Sequence, residues 1–179
     1  MKDKTILLGV TGSIAAYKAA DLLRELQGRG ADVHVLMTES ARRFITPLTF
    51  KTLSRNPVAG SLWDEEAGWC PGHIELADKA NLLVVTPATA NILAQFAQGL
   101  ASDLLTSIYL ATRAPVLIAP AMNGKMWDHP ATRLNRSILE ERGHKFVEPA
   151  EGELACGYSG KGKLCDIEEI VTAAAEILA

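Results

Sequence analysis

The segment from Thr5 to Leu26 reads TILLGVTGSIAAYKAADLLREL and predicts a β-strand followed by an α-helix. Thr5 to Val10 is a short apolar run, and after Thr11-Gly12-Ser13 the alanines and leucines recur at helical spacing until Gly30. An apolar run without polar alternation is typical of a strand that is buried on both faces. The segment therefore predicts the first strand–helix unit of a parallel sheet.

The same pattern repeats along the chain. Further short strands are predicted over 33–37, 82–86, 116–119 and 145–147, and helices over 91–97, 103–112 and 130–142. We therefore expect a single-domain α/β protein of the Rossmann-like or flavodoxin-like type, with helices flanking a mostly parallel sheet. Two segments rich in Gly and Pro, 55–72 and 148–163, lack this pattern, and loops of that length are usually functional or disordered.

Length and composition narrow the class of protein. The chain has 179 residues, of which 48% are apolar and 22% charged, as expected of one globular domain over 1–179. Its 18 basic and 21 acidic residues form no dense basic block, so nucleic acid is not expected as a partner. No apolar run approaches the ~20 residues of a membrane span, and the first run is too short for a signal peptide. These observations predict a cytoplasmic protein without membrane association.

Small polar residues follow the predicted strands at their carboxyl ends, where open α/β sheets bind ligands. Gly12 and Ser13 follow the first strand, Thr38-Glu39-Ser40 the second, and Thr86 to Asn91 the third. For Gly12 and Ser13 alone a helix cap is about as good an explanation, and for either of the other two groups alone a helix cap is the favoured one. Three of them on one sheet edge favour a ligand with a phosphate, because helix N-termini attract anions. The first turn lacks a tight Gly-x-Gly pair, so a dinucleotide is not expected.

The octapeptide after the fourth strand, Pro120-Ala-Met-Asn-Gly-Lys-Met-Trp127, matches the signature Pro-x-Met-Asn-x-x-Met-Trp at every fixed position. Five other stretches match the same family: 10–18, 73–80, 87–91, 103–106 and 155–157. By these motifs the chain resembles the homo-oligomeric flavin-containing cysteine decarboxylases over nearly its whole length. Within that family it is most similar to the members that act on phosphopantothenoyl-cysteine.

The resemblance implies a bound FMN and assigns site residues. It places the cofactor on Gly12, Ser13, Ile14, Thr38, Ser40, Thr89, Ala90, Asn91 and Ala121. It places catalytic roles on His73 and Cys156, and substrate binding on Asn123 and its neighbour Met122. It also implies a trimer or a dodecamer built from trimers, with the flavin between subunits.

The segment 151–166 contains Ala155-Cys156-Gly157 and is predicted to form a mobile lid over the substrate. Lys161 and Lys163 are candidates to meet the substrate phosphate, and nearby lysines would lower the pKa of the Cys156 thiol. The alternative for Cys156 is an inert buried thiol. Cys165 is interpreted as structural.

The implied reaction is decarboxylation of 4′-phosphopantothenoyl-cysteine to 4′-phosphopantetheine in coenzyme A biosynthesis. A carboxylate beside an unactivated thiol has no electron sink, and oxidation of the CH₂–SH group to a thioaldehyde supplies one. Loss of CO₂ then gives an ene-thiolate. His73 would accept the thiol proton or orient the substrate, and Asn123 would bind the carboxylate. The reduced flavin would then return its hydride and Cys156 would deliver a proton, which makes the decarboxylation redox-neutral.

Three alternatives remain open at this stage. A peptidyl-cysteine decarboxylase of a modified-peptide pathway would release the oxidised ene-thiol and would not require Cys156. An FMN-binding regulatory subunit would not require His73. A zinc site on Cys70, His73, Cys156 and Cys165 is disfavoured, because the last two cysteines have no standard finger spacing. The length predicts a stand-alone decarboxylase that depends on a separate synthetase.

Overall fold

Five parallel strands form the central sheet of the protein, in a computed structural model that describes residues 1–62, 72–153, 155, 157 and 159–179. The strands are β1 (Thr5–Val10), β2 (Asp32–Met37), β3 (Leu82–Ala88), β4 (Val116–Pro120) and β5 (Lys145–Phe146). Their spatial order is β2-β1-β3-β4-β5, and every neighbouring pair is parallel. The chain therefore changes direction across the sheet between β1 and β3, which is where such sheets bind ligands.

Helices cover both faces of this sheet. They are α1 (Lys18–Gly28), α2 (Pro47–Ser54), α3 (Gly72–Lys79), α4 (Ala90–Gln98), α5 (Leu104–Ala111), α6 (Gly124–Asp128), α7 (Pro130–Glu141) and α8 (Ile167–Leu178). Short 3₁₀ turns occupy Ile14–Tyr17 and Ala41–Arg43. Among the helices described, none is long and apolar enough to cross a membrane.

Alternate strand residues enter two separate cores. Ile6 and Leu8 pack into the core that contains Leu22 of α1 and Val171 of α8. Leu7, between them, belongs to the core on the opposite face, with residues of α4 and α5. All six residues of β1 are buried, as predicted for a strand covered on both sides. The predicted α/β fold is confirmed.

The predicted helix boundaries agree closely with the structure, because local capping signals set them. Asp103 caps α5: its Oδ1 accepts a hydrogen bond from the Thr106 N–H at 2.8 Å, and the Thr106 hydroxyl accepts one from the Asp103 N–H at 2.9 Å. Thr89 caps α4 by accepting from the Ile92 N–H at 3.3 Å. Gly99 ends α4 with a φ of +68°, a left-handed conformation that favours glycine.

The segment 148–163 differs from the irregular loop that its composition suggests. Ala150–Glu153 (β6) and Ser159–Lys163 (β7) pair as an antiparallel ribbon, separate from the main sheet. We call this pair of strands, β6 and β7, the ribbon. The sequences AEGE and SGKGK have no apolar alternation, so they carry no strand signal. Backbone pairing and contacts with the loop after β4 form these strands instead.

Candidate functional site

Thr11 joins the ends of the two strands at which the chain changes direction. Its hydroxyl donates a hydrogen bond to the Pro87 carbonyl at 2.6 Å and accepts one from the Thr89 N–H at 3.2 Å. The side chain is only 2% exposed, so both bonds are sheltered from water. Thr11 therefore holds the loop after β1 against the loop after β3.

Gly12 brings the loop after β1 against the loop after β2. A Cβ atom placed on Gly12 would lie 2.4 Å from the Ser40 Cβ and 3.2 Å from the Ser40 carbonyl carbon. Real Cβ atoms essentially never approach so closely, so no side chain fits at position 12 without moving Ser40. Three neighbouring strand ends thus converge at this edge.

A cavity of about 430 Å³ lies where the strand ends converge, and we call it the strand-end cavity. It is lined by Thr11, Gly12, Ser13, Thr38, Glu39, Ser40, Thr89, Ala90, Asn91, Ile92, Gln95, Asp103, Ala121, Met122 and Met126. This lining brings together eight of the nine residues predicted to hold the cofactor; Ile14 is the exception. The described residues of this wall include two carboxylates, Glu39 and Asp103, and no Lys or Arg.

Several hydroxyl groups line the strand-end cavity and can act as hydrogen-bond donors. The oxygens of Ser13, Thr38 and Thr89 accept backbone N–H groups of Ala15, Ala41 and Ile92 at 3.4, 3.2 and 3.3 Å. Because each oxygen serves as an acceptor toward the backbone, each hydroxyl hydrogen can donate to a ligand. This donor set suits a phosphate or sugar oxygen.

A second cavity of about 370 Å³ lies between the 3₁₀ turn Ile14–Tyr17, the loop after β4 and the ribbon; we call it the ribbon cavity. It is lined by Ser13, Ile14, Ala15, Tyr17, Lys18, Ala121, Met122, Asn123, Glu153, Ala155, Gly162, Lys163 and Leu164. Ser13, Ala121 and Met122 line both cavities. A ligand in one cavity therefore lies next to a ligand in the other.

Asn123 enters the ribbon cavity as the N-cap of α6. Its Oδ1 accepts a hydrogen bond from the Lys125 N–H at 2.9 Å, which fixes the amide so that its NH₂ group is the donor end. A fixed neutral donor of this kind can bind a carboxylate. Met122 and Lys163, also predicted to bind substrate, line the same cavity.

The ribbon is docked on the loop after β4 through Gly162. The Met122 N–H donates to the Gly162 carbonyl at 2.9 Å. Gly162 has a φ of +147°, and a Cβ on it would lie 2.3 Å from the Met122 carbonyl oxygen and 3.1 Å from the Gly124 nitrogen. The conformation and the contact both require glycine.

Two predicted site residues lie apart from these cavities. His73 is half-buried in the first turn of α3 and is not part of the described lining of either cavity. Lys161 lines a separate cavity of about 290 Å³ beside Trp127, and its ammonium binds the Glu148 carboxylate at 2.7 Å. Cys156, predicted to be catalytic, lies outside the described residues.

Glu148 neutralises much of the positive charge around Lys161. Burial raises the pKa of the Glu148 carboxyl, but hydrogen bonds from Lys161 and Arg136 lower it, and the net pKa lies below its usual value. Arg136 also contacts Glu140 at 2.9 Å. Lys161 is therefore paired within the protein, and its predicted role toward the substrate phosphate stays a prediction.

Cys165 follows Leu164, which lines the ribbon cavity, and is itself only 1% exposed. Burial raises the pKa of its thiol to about 12, Glu169 adds to that increase, and Lys18 opposes it. Such a thiol stays protonated at neutral pH and is a poor nucleophile. In the part of the chain that the structure describes, no three or more His, Cys, Asp or Glu side chains are placed to hold a metal ion. Cys70 and Cys156 of the zinc alternative lie outside that part.

Sequence reasoning missed several lining residues. Thr11, Gln95, Asp103 and Met126 line the strand-end cavity. Lys18 lines the ribbon cavity, although the sequence pattern around it predicts only a helix. Thr11 and Lys18 both lie within the stretch 10–18 that matches the family, and this match was the sequence signal that could have identified them.

Comparison with known proteins gives a consistent assignment. The family described as Flavoprotein matches residues 1–179. The chain is 50% identical over 171 residues to the coenzyme A biosynthesis bifunctional protein CoaBC of Bacillus subtilis (strain 168), across 96% of this chain and 42% of that protein. The chain thus spans about two-fifths of the length of this curated relative.

Two solved structures are also similar. One is a Cys-to-Ser mutant of PPC decarboxylase complexed with pantothenoylaminoethenethiol, with 31% identity, a TM-score of 0.87 and 98% of each chain covered. The other is the FMN-dependent cysteine decarboxylase SpaF, with 33% identity, a TM-score of 0.86, and 99% of this chain and 98% of that chain covered.

Proposed function

Because the chain belongs to the Flavoprotein family, we propose that it catalyses FMN-dependent decarboxylation of 4′-phosphopantothenoyl-cysteine to 4′-phosphopantetheine, a step of coenzyme A biosynthesis. The observation that carries this proposal is the common wall of Ser13, Ala121 and Met122 between the two cavities. A cofactor in the strand-end cavity and a substrate in the ribbon cavity would meet along that wall.

The strand-end cavity fits FMN by its chemistry. The hydroxyls of Ser13, Thr38 and Thr89 can donate to a phosphate, and α4 begins at the same edge with its N–H groups and positive dipole end. A phosphate held in this way needs no Lys or Arg. The volume of about 430 Å³ lies in the range of small-molecule and cofactor sites.

The bound FMN would supply a reversible two-electron oxidation of the substrate CH₂–SH group, which creates the electron sink that loss of CO₂ requires. Asn123 supplies the carboxylate contact through its amide NH₂ group. A neutral donor suits this reaction, because the carboxylate loses its negative charge as CO₂ leaves. A cation there would stabilise the ground state more than the transition state.

Cys156 is proposed to give a proton to the decarboxylated substrate, and the reduced FMN would return the two electrons taken up in the oxidation, so that the overall reaction is redox-neutral. Its sequence neighbour Ala155 lines the ribbon cavity, which supports a place for the 155–157 stretch beside the substrate. We propose that residues 151–166 act as the lid of this cavity. The contact of Gly162 with Met122 fastens one strand of that lid to the loop that carries Asn123.

His73 is proposed to act at a site shared between copies of the chain, in a trimer or a dodecamer. Its position on α3, apart from both cavities, supports a role toward a neighbouring copy. Ile14 and Tyr17, at the ribbon cavity, are 59% and 57% exposed and offer apolar surface for such a contact. We also propose that the protein acts in the cytoplasm.

Decarboxylation of a different cysteine-containing substrate is a second candidate, favoured by the likeness to SpaF. The deciding experiment is anaerobic incubation of the purified, FMN-loaded protein with 4′-phosphopantothenoyl-cysteine and mass detection of the product. We expect loss of the mass of CO₂. An unchanged substrate with FMN bound would reject the proposal, and turnover of a peptidyl-cysteine alone would support the second candidate.

The shared site has its own test. Sedimentation or light scattering of the FMN-loaded protein should show a trimer or a multiple of it. A monomer that holds FMN and turns over substrate at full rate would reject a site completed by a second copy.

A further inference from the structure

Strand β7 of the ribbon contains one extra residue, Gly162. The pairing with β6 passes directly from Lys163 to Lys161, so Gly162 between them has no residue opposite it. Such a bulge interrupts the backbone ladder and bends the strand. It also turns the two lysines to different sides: Lys163 lines the ribbon cavity, and Lys161 lines the separate cavity of about 290 Å³. The position of β7 at this point therefore depends on contacts other than its pairing with β6.

Glu148 connects Lys161 to helix α7. Its Oε2 binds the Lys161 ammonium at 2.7 Å, and its Oε1 binds the guanidinium of Arg136. Each carboxylate oxygen thus has its own partner, one on β7 and one on α7. Glu148 itself lies two residues before β6, where the chain enters the ribbon. We call the side chains of Lys161, Glu148 and Arg136 the ribbon bridge.

Arg136 is the fixed end of the ribbon bridge. Its Nε and Nη2 donate to the Glu140 carboxylate at 2.9 Å, one turn further along α7. Its guanidinium carbon lies 5.2 Å from the centroid of the Trp127 ring and 5.5 Å from that of Phe146. Trp127 is only 6% exposed and belongs to α6, the helix that Asn123 caps. The bridge therefore connects the ribbon to the helix whose N-cap enters the ribbon cavity.

The ribbon bridge is suited to holding a local position more than to stabilising the whole fold. The side chains of Lys161 and Glu148 are 39% and 46% exposed, and ion pairs with that exposure add little to the free energy of unfolding. A two-stranded ribbon is only marginally stable by itself. A contact of modest energy can therefore shift the local opening of the ribbon while the main sheet stays unaffected.

We propose that Glu148 and Arg136 are positioning residues for the decarboxylation: through Lys161 they hold β7 so that Gly162 and Lys163 form the wall of the ribbon cavity. The described lining of that cavity includes no member of the ribbon bridge, so the three side chains act through the ribbon. This inference rests on the proposed function for its kinetic test. It gives Lys161 a role different from the predicted contact with the substrate phosphate.

The test compares the FMN-loaded protein with its Glu148→Gln and Lys161→Met variants, which each remove one charge from the bridge. Lys161→Arg keeps a long cationic side chain that can reach the carboxylate. Glu141→Gln is the matched control, because Glu141 is an exposed carboxylate on α7 outside the bridge. For each protein, kcat and KM are measured with 4′-phosphopantothenoyl-cysteine and with pantothenoyl-cysteine, together with the melting temperature.

We expect Glu148→Gln and Lys161→Met each to raise KM about twofold to fivefold on both substrates, because substrate binds only the fraction of protein with a positioned ribbon. The value of kcat and the melting temperature should stay close to those of the unmodified protein. Lys161→Arg and the control should match it in KM as well. The double variant should be no worse than either single variant, since both changes remove the same contact.

Two kinetic results would overturn the proposal. A loss confined to the phosphorylated substrate would mean that Lys161 binds the substrate directly. An unchanged KM in both single variants would mean that the ribbon is held without the bridge.

Hydrogen–deuterium exchange tests the position of the ribbon without substrate. We expect the amides of β6 and β7, and the Met122 N–H that donates to Gly162, to exchange at least twofold faster in Glu148→Gln and Lys161→Met. The amides of β3 should exchange as in the unmodified protein. Equal ribbon exchange in all variants would overturn the positioning role. If the unmodified protein decarboxylates neither substrate, the proposed function fails, and the exchange rates alone decide on the ribbon bridge.

Discussion

The carbonyl of Gly162 accepts a hydrogen bond from the Met122 N–H at 2.9 Å, and a Cβ on Gly162 would lie only 2.3 Å from the Met122 carbonyl oxygen. The ribbon and the loop after β4 therefore meet backbone to backbone. Through this contact the segment that carries Lys163 is placed beside Asn123.

Gly162→Ala should separate the ribbon from the loop after β4. The substitution adds a clash with backbone at a φ of +147°, a conformation that L side chains rarely adopt. We expect a loss of about 1–3 kcal/mol in the free energy of unfolding and a strong loss of decarboxylation. FMN content, measured by absorbance, should persist because Gly162 does not line the strand-end cavity.

Gly143→Ala is the matched control, since Gly143 has a φ of +87° and open space around its Cβ position. It should lose about 1–2 kcal/mol from backbone strain alone and keep its activity. Wild-type turnover in Gly162→Ala would contradict the role given to this contact.

Gly12→Ala should lower FMN content. The new Cβ would lie 2.4 Å from the Ser40 Cβ and push the loop after β2 away from the cavity. Ser40→Gly in the same chain removes the closest atom and should restore part of the thermal stability. Gly28→Ala, where the Cβ meets nothing within 4 Å, should change stability little. A Gly12→Ala protein with full FMN occupancy and unchanged melting temperature would show that the two loops adapt freely.

Asp32→Asn should reduce the loss of unfolding free energy that occurs as the pH falls into the acid range. Burial raises the pKa of the Asp32 carboxyl, but a hydrogen bond from Asn56 and contacts with His34 and Lys79 lower it, and the net pKa lies below its usual value. Such a carboxylate stabilises the fold above its unfolded-state pKa, and this contribution is lost as the pH falls through the lower folded-state pKa.

The Asp32 side chain is 48% exposed, so we expect less than about 1 kcal/mol from this cluster. Urea unfolding between pH 7 and pH 3 measures it: the wild-type protein should lose more stability than Asp32→Asn over that interval. Glu176→Gln, an exposed change on α8, should follow the wild type. If the unfolding free energies of Asp32→Asn and the wild type changed equally with pH, Asp32 would not contribute to the pH dependence of stability.

Cys165 should resist alkylation in the native protein. A thiol that is 1% exposed, with a pKa of about 12, presents almost no thiolate at pH 8. Iodoacetamide labelling followed by peptide mass mapping should modify Cys165 only after unfolding. Cys165→Ala should keep its activity, and rapid native labelling of Cys165 would contradict its buried, protonated state.

Cys156→Ser should stop the reaction after loss of CO₂. If Cys156 supplies the proton that accompanies the return of two electrons from the reduced cofactor, the variant should form the ene-thiol, at most one per bound FMN in the absence of an oxidant, and this species is lighter than 4′-phosphopantetheine by the mass of H₂. Anaerobic mass spectrometry detects this species, with Cys165→Ala as the thiol-removal control. Normal product at the wild-type rate would exclude Cys156 from proton transfer.

The sequence predicted the main sheet and the strand-end cavity because both follow from local signals. The apolar run 5–10 and the helical spacing after it are short-range features, and parallel strands bring their carboxyl ends to one edge. The grouping of Gly12, Thr38 and Thr89 follows from that topology.

The ribbon and its lysines could not be predicted in the same way. In a regular strand, Lys161 and Lys163 would share one face, because side chains alternate. The pairing of β6 with β7 instead shifts register between Ala150 and Glu151, opposite these two lysines, and they line different cavities. Lys18 lines the same cavity as Lys163 because the 3₁₀ turn at 14–17 precedes it at that cavity. This is a tertiary arrangement that helical spacing in the sequence does not reveal.

Because Ser13, Ala121 and Met122 line both cavities, we expect binding in one cavity to affect binding in the other. A ligand in the strand-end cavity would restrict three residues that the ribbon cavity also uses, so we expect a second ligand to lose less conformational entropy when it binds. Such coupling is reciprocal: whatever factor the cofactor adds to substrate affinity, the substrate adds to cofactor affinity. We therefore expect the substrate to strengthen retention of the cofactor, and release of one ligand to weaken binding of the other.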